Sequence, residues 1–237
     1  MSAAGRDWRA WHDAYDDPGS SLARRLAVVR ARIADTLDAA PPGPLRAVSM
    51  CAGQGCDLIP VLASHPRGPD VTARLVELDP ALAATARRSA ADAGLPGVEV
   101  VTGDASLTDA YAGRVPADLV LACGVFGNIS DSDIRRTVGC CAQLCATGGI
   151  ALWTRKRTPP DLVPQICDWF GHEGFELELA VRSGGGVRGR RAPVHGAATA
   201  ARGGPAHVQL RRSNAVTLVS RRGPGSGSCR GGISGWS

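Results

Sequence analysis

The chain has 237 residues, of which 44% are hydrophobic and 21% are charged, a balance that is typical of a globular protein and excludes a wholly disordered one. No apolar run reaches the roughly 18 to 20 residues of a membrane-spanning helix, and the N-terminus has no signal-like apolar stretch, so we expect a cytoplasmic protein without a membrane partner. The net charge of +5 hides two unlike parts, because residues 181–237 contain ten Arg and no acid, which leaves 17 basic against 22 acidic residues in 1–180.

Residues 1–44 are predicted to form an N-terminal helical cap. Ser20 or Ser21 can cap a helix, and a proline-rich linker over 39–44 ends it. Apolar residues recur along this helix at steps of three and four, and the stripe is expected to pack against the main sheet: Leu22, Leu26, Val29, Ile33 and Leu37.

From residue 45 to residue 180, short apolar strands alternate with helices. Strands are predicted over 45–50, 71–78, 98–102, 118–123, 150–154 and 175–179, and helices over 56–64, 79–94, 130–148 and 161–173. Repeated units of this length require right-handed crossovers. The sequence therefore predicts an α/β, Rossmann-like, doubly wound and mostly parallel sheet with helices on both faces.

Distinctive residues stand at the ends of the first four predicted strands, where sheets of this kind bind ligands. Gly53 and Gly55 allow a tight turn after the first strand, and the next helix offers free N–H groups. The second strand ends at Glu77, 22 residues after Gly55, where a carboxylate can accept both hydroxyls of a ribose. The third and fourth strands end at 103–105 and 123–126. Taken together, these strand ends predict a nucleotide-like cofactor pocket.

Over roughly residues 45–179 this arrangement resembles the class I S-adenosylmethionine-dependent methyltransferases. The first loop of that family follows an acidic-x-G-x-G-x-G pattern. Residues 49–55 match it at two glycines, Gly53 and Gly55, and depart from it with Ser49 at the acidic position and Cys51 at the first glycine. The resemblance implies S-adenosylmethionine as the cofactor and an antiparallel seventh strand. It implies that Glu77 binds the ribose, that Asp104 binds the adenine amino group, and that 123–125 line the methionine portion. The cofactor-binding residues that it implies are Cys51, Gly53, Gln54, Gly55, Glu77, Leu78, Asp104, Ala105, Cys123, Gly124 and Val125.

The segment 8–15 is similar to the N-terminal cap of small-molecule members of this family, which makes Trp11 and Tyr15 candidates for the acceptor side or a lid. The alternative is that these aromatic residues anchor the first helix on the core. No N-P-P-Y-like segment follows the fourth strand, which disfavours a nucleic-acid base as acceptor, so we expect a small molecule. The catalytic residue stays unknown, because methyl transfer depends mainly on alignment. His12, Asp13, Tyr15 and His172 are possible bases, and each is also explained as a solvated surface residue.

Two other functions compete with methyl transfer. A nicotinamide-dependent oxidoreductase would need a third small residue where Leu58 stands, and a leucine hinders close helix–strand packing there. A domain that binds the cofactor without transferring methyl is compatible with the departures at Ser49 and Cys51. The eight cysteines lack the spacing of a zinc site, and we expect no metal.

Residues 181–237 are predicted to be a disordered tail, because 13 glycines and ten arginines leave little apolar surface to bury. They admit three interpretations. In the first, the tail is a basic extension that binds nucleic acid. In the second, it contains the missing final strand at 215–220. In the third, it results from a reading-frame change in a GC-rich gene. We favour the third, because the composition changes where the fold still lacks its final strand. Nucleic acid is expected as a partner only if the basic tail is genuine.

Overall fold

The computed structural model describes residues 17, 19–182 and 214–223, and in these ranges the chain forms one seven-stranded sheet with five α-helices and two short 3-10 helices. The strands are β1 (Leu45–Met50), β2 (Val71–Glu77), β3 (Val98–Thr102), β4 (Ala117–Ala122), β5 (Cys145–Lys156), β6 (Phe175–Arg182) and β7 (Asn214–Arg221). The α-helices are α1 (Ser21–Ala39), α2 (Ile59–Ser64), α3 (Pro80–Asp92), α4 (Asp131–Leu144) and α5 (Val163–His172). The 3-10 helices are Gly68–Asp70 and Thr108–Tyr111.

The strand order is β3-β2-β1-β4-β5-β7-β6, with β1 to β5 parallel and β7 antiparallel to both of its neighbours. The predicted doubly wound α/β sheet is confirmed. Its strand order reverses between β1 and β4, so the carboxyl ends of β1, β2 and β4 lie around one crevice. A sheet of this kind binds its ligand at that crevice.

The central strand β1 alternates its side chains between two apolar cores, one on each face of the sheet. Ala47 of β1 belongs to a core shared with Ile33 of α1 and Ala86 of α3. Val48, the next residue, belongs to a second core with Ile134 of α4 and Phe170 of α5. Successive side chains of a β-strand point to opposite faces of the sheet, so a strand that is covered on both faces alternates between two cores.

Helix α1 begins as predicted, because the Ser20 hydroxyl accepts the Ala23 N–H at 2.9 Å. The apolar stripe is buried from Val29 onward, whereas Leu22 and Leu26 are only partly covered. Arg25 is buried in the same part of the helix, with 8% of its surface exposed. The candidate residues Trp11 and Tyr15 lie outside the described residues, as do His12 and Asp13.

Two predicted helix boundaries are wrong by several residues. Helix α2 begins at Ile59 rather than at 56, because the glycine turn extends further and Pro60 occupies the first helical turn. Helix α4 ends at Leu144, and Cys145, expected inside the helix, is already extended and begins β5. Gly148, with φ +79°, lies inside that strand segment.

The boundary of the predicted tail needs correction. Residues 181–182 end β6, and Asn214–Arg221 form β7 between β5 and β6. Of the three interpretations, the structure therefore agrees with the one that places the final strand at 215–220, and it supplies the antiparallel strand that the family resemblance implied. Residues 183–213 and 224–237 lie outside the described ranges.

In the described ranges, no helix combines the length and the apolar character that crossing a bilayer requires. The seven cysteines there are free thiols, and no group of three or more His, Cys, Asp or Glu residues there is placed to hold a metal ion.

Candidate functional site

A cavity of about 310 Å³ lies at the carboxyl ends of β1, β2 and β4, next to the first turns of α1. This volume is in the range of small-molecule sites, and the position is the crevice that the strand order favours. Its walls are formed by Arg25, Leu26, Val29, Cys51, Ala52, Gly53, Cys56, Asp57, Glu77, Leu78, Asp79, Leu82, Cys123, Gly124, Val125, Asn128 and Ile129.

The two glycines of the turn after β1 have different structural roles. Both have left-handed backbone, with φ +56° at Gly53 and φ +71° at Gly55. Gly53 lines the cavity and donates its N–H to a Glu77 carboxylate oxygen. A Cβ on Gly55 would stand 2.5 Å from Ile59 Cδ1 and 2.9 Å from Leu75 Cδ2, so the missing side chain lets the turn pack against α2 and β2. Gly55 therefore allows this close packing of the turn and does not itself line the cavity.

Glu77 joins the glycine turn to the start of α3. Its Oε2 accepts the Gly53 N–H at 2.7 Å, its Oε1 accepts the Asp79 N–H at 2.9 Å, and only 8% of the residue is exposed. A carboxylate has about four acceptor sites, so two of them remain for a ligand in the cavity. Glu77 lies at this wall, and the sequence did not reveal that its side chain also holds the turn.

Cys51 adopts φ +49°, a left-handed conformation that residues with a Cβ rarely take. Desolvation, with smaller contributions from the negative charges of Glu77 and Asp104, raises the pKa of its thiol to about 11. Burial likewise raises the pKa of the Cys123 thiol well above its usual value. The thiols of Cys51 and Cys123, two of the three cysteines that line the cavity, are therefore neutral at physiological pH.

The loop after β4 is held against the next strand of the sheet. The Gly124 N–H donates to the hydroxyl of Thr154, a β5 residue that is only 1% exposed, at 2.8 Å. The Asn128 side-chain amide donates to the Gly124 carbonyl, and its backbone N–H donates to the Val125 carbonyl at 2.9 Å. Cys123, Gly124 and Val125 line the cavity at the strand end where the sequence predicted them.

Arg25 and Asp57 are cavity residues that sequence reasoning missed. The Asp57 Oδ1 accepts the Leu58 N–H at 2.8 Å. Burial raises the pKa of the Asp57 carboxyl, while the Leu58 hydrogen bond and the charges of Arg30 and Arg25 oppose that shift. Two signals pointed to them: Asp57 directly follows the glycine turn, and Arg25 lies four residues before Val29 on the buried side of α1.

Four of the predicted cofactor residues do not line this cavity: Gln54, Gly55, Asp104 and Ala105. Asp104 is exposed beyond the end of β3, where its carboxylate accepts the Ser106 N–H at 2.8 Å, and hydrogen bonds from Ser106 lower its pKa. The Ala105 carbonyl accepts the hydroxyl of buried Tyr111 at 2.8 Å. His172 is exposed at the end of α5, away from the cavity walls.

No protein-family profile matches the sequence, and no curated protein matches it at a significant level. Many solved structures match the fold. A TehB-like S-adenosylmethionine-dependent methyltransferase from Corynebacterium glutamicum is 17% identical with a TM-score of 0.55, over 87% of this chain and 100% of the other. Magnesium protoporphyrin IX methyltransferase from Synechocystis, solved with bound S-adenosylhomocysteine, is 12% identical with a TM-score of 0.63, over 90% and 93%.

A methyltransferase from Thiobacillus denitrificans, solved in complex with S-adenosylhomocysteine, is 19% identical with a TM-score of 0.50, over 65% of this chain and 66% of the other. Identities this low bear on architecture rather than on activity. The chain has the fold of the class I S-adenosylmethionine-dependent methyltransferases.

Proposed function

We propose that the protein binds S-adenosylmethionine in the strand-end cavity and transfers a methyl group to a small-molecule acceptor. The observation that carries this proposal is the bond between Glu77 and Gly53, which puts a carboxylate and a glycine turn on one wall of the cavity. Similar structures solved with S-adenosylmethionine or S-adenosylhomocysteine support the choice of cofactor.

The cavity walls fit the adenosine part of this cofactor. The two acceptor sites that Glu77 keeps free match the two hydroxyl donors of a ribose. Leu78, 69% exposed, and Leu82 provide apolar surface beside that carboxylate for a flat base. By resemblance, Asp104 and Ala105 would meet the adenine edge, and Gln54 and Gly55 would support the glycine turn.

The wall near α1 suits the acceptor. Leu26, Val29 and Ile129 present apolar surface next to the loop over 123–125 that would hold the methionine portion. When bound, S-adenosylmethionine supplies an electrophilic methyl group on a sulfonium and leaves as S-adenosylhomocysteine after the acceptor attacks. A small, partly apolar acceptor fits this covered wall better than a macromolecule.

The chain's own residues would contribute alignment and protection. The loop over 123–129, pinned by Thr154, fixes one side of the cavity before any ligand binds, and pre-set geometry lowers the entropy cost of alignment. The thiols of Cys51 and Cys123 stay protonated because their pKa values are raised, so they are poor nucleophiles for the methyl group.

Calorimetric titration tests the proposal. We expect S-adenosylmethionine and S-adenosylhomocysteine to bind and NAD not to bind, since fully buried Leu58 occupies the position of the third small residue of a dinucleotide site. Binding of NAD alone would overturn the proposed function.

A labelling experiment then tests the acceptor class. The protein is incubated with methyl-labelled cofactor and a cell extract split into small-molecule and macromolecular fractions. We expect label in the small-molecule fraction. Label only in protein or nucleic acid contradicts the proposed acceptor. Cofactor binding without any transfer favours the non-catalytic domain to which the departures at Ser49 and Cys51 pointed.

A further inference from the structure

We infer that Arg25 and Asp57 recognise the zwitterionic amino acid end of the cofactor, with the guanidinium binding its carboxylate and Asp57 binding its ammonium. This inference rests on the proposed function and deepens it. Both side chains line the same cavity, and they come from different elements, Arg25 from the first turns of α1 and Asp57 from the residues just before α2.

Arg25 brings positive charge to a cavity wall that is otherwise acidic. Among the described residues that line the cavity, it accompanies the carboxylates of Asp57, Glu77 and Asp79. Only 8% of Arg25 is exposed, so its guanidinium is largely desolvated. A desolvated guanidinium binds a carboxylate through two parallel hydrogen bonds more strongly than an exposed one does.

The three acids of the wall are not equivalent. Glu77 accepts N–H groups on both of its oxygens, and Asp79 caps α3 by accepting the Ala81 and Leu82 N–H groups. Asp57 uses Oδ1 for the Leu58 N–H, and it feels the positive charges of Arg30 and Arg25. Asp57 therefore stands in the same electrostatic environment as Arg25.

Strand β1, which leads into the glycine turn, has no acidic residue that could line the cavity. Ser49, at the position where the resemblance expects an acidic residue, is 1% exposed and does not line the cavity. Asp57 follows the same turn and does line it. The amino acid end of a ligand that reaches this side of the turn would meet Arg25 and Asp57 together.

The test compares three ligands that differ only at that end. S-adenosylhomocysteine carries both charges, its decarboxylated analogue keeps the ammonium alone, and 5′-methylthioadenosine has neither. Calorimetry measures each ligand on wild-type protein, Arg25→Gln and Asp57→Asn, with Arg24→Gln as the control. Arg24 is an exposed neighbour on α1 that does not line the cavity.

We expect Arg25→Gln to weaken S-adenosylhomocysteine by about 10- to 100-fold. It should change the affinity for the other two ligands by less than about twofold, a difference close to measurement scatter. Asp57→Asn should weaken both ligands that carry the ammonium and leave methylthioadenosine unchanged. Arg24→Gln should match wild type for all three. Retained binding of methylthioadenosine shows that each variant is folded.

Two results overturn the inference while the proposed function stands: unchanged affinity of Arg25→Gln for S-adenosylhomocysteine, or an equal loss for all three ligands, which would make Arg25 a structural residue. Wild-type protein that binds none of the ligands would instead overturn the proposed function and the inference with it.

Discussion

Glu77 has an observed structural role and a proposed ligand-binding role, and one substitution tests both through two different measurements. Gln at this position keeps one oxygen but faces the Gly53 and Asp79 N–H donors with one amide group that cannot accept. We expect Glu77→Gln to lower the free energy of unfolding without ligand by about 1 to 3 kcal/mol. It should weaken both S-adenosylmethionine and S-adenosylhomocysteine by about tenfold or more, since both carry the same ribose. Denaturant unfolding and calorimetry measure the two effects.

The matched control is Glu99→Gln on β3. Glu99 pairs with Arg74 at 2.7 Å on the surface, where its side chain is 46% exposed. Surface pairs of this kind contribute at most about 1 kcal/mol, so both stability and ligand affinity should stay near wild type. If Glu77→Gln binds both ligands as tightly as wild type, Glu77 is only a structural acid.

The thiol of Cys51 should react slowly with electrophiles. Its pKa of about 11, against 9.0 for an unperturbed thiol, keeps the thiolate fraction low, and only the thiolate is alkylated. We expect the rate of Cys51 carboxamidomethylation to rise about tenfold per pH unit from pH 7 to about pH 10 without levelling off. Mass spectrometry of the Cys51 peptide measures this rate, and the urea-unfolded chain, which should level near pH 9, serves as the reference. Levelling near pH 9 in the folded protein would refute the raised pKa.

Sequence reasoning could place candidate site residues at the cavity where their position along the chain is enough to predict it. Glu77 and Gly53 stand at strand ends, and parallel strands bring their carboxyl ends to one edge. Arg25 and Thr154 reach the site through tertiary packing. The spacing of Arg25 from Val29 indicates that it is buried but not that it meets a ligand, and a threonine inside a strand gives no sign of a ligand either, so the place of both residues at the cavity emerges only from the folded structure.

At the scale of elements, the turn after β1 depends on the absence of a side chain at Gly55. Gly55→Ala would strain a left-handed backbone, at about 1 to 2 kcal/mol, and overpack Ile59 and Leu75, at about 1 to 3 kcal/mol more. We expect thermal and denaturant unfolding to show a loss of about 2 to 5 kcal/mol.

Gly113→Ala isolates the backbone cost from the cost of overpacking. Gly113 has a similar φ of +79°, but a Cβ there would meet nothing within 4 Å. This variant should lose only the backbone part, about 1 to 2 kcal/mol. Equal losses in the two variants would show that the neighbours of Gly55 yield without cost, and that its conformation alone matters.

Strands and helices with a clear apolar period were predicted closely, and the boundaries of β1 and β3 agree with the structure. The boundary between α4 and β5 was wrong because residues 145–149 contain glycines and small side chains without a strong period. Pairing with β4, which joins Ala117 to Cys145, extends the strand backwards into this stretch. That contact comes from the fold and not from the local sequence.

At the scale of the whole molecule, the composition of residues 181–237 misled the prediction, because a glycine- and arginine-rich background hid one strand of ordinary apolar character. Asn214–Arg221 contributes four buried apolar residues to the two cores, Ala215, Val216, Leu218 and Val219. Composition averages over a segment, whereas a strand needs only about five or six consecutive residues.

A single substitution tests whether this strand completes the sheet. Val216 is fully buried and packs in the same core as α1. We expect Val216→Ala to lower the free energy of unfolding by roughly 1 to 3 kcal/mol. Leu177→Ala, on β6 at a position that is 56% exposed, is the control and should change stability little. No loss at Val216 would mean that these residues do not lie in the core.

Truncation tests the same strand at the scale of the whole sheet. A chain that ends at Arg182 loses β7, which leaves β5 and β6 unpaired along their facing edges. Burial of Val216 and Val219 alone is worth roughly 3 to 6 kcal/mol, close to the whole stability of an ordinary domain. We expect this chain to aggregate through its open edges or to melt far below the full chain.

A chain that ends at Gly223 keeps all seven described strands and should melt close to the full chain. Scanning calorimetry with analytical size exclusion measures both chains. If the chain that ends at Arg182 melts like the full chain, the sheet does not need β7. The interpretation that the tail results from a reading-frame change would then regain its support.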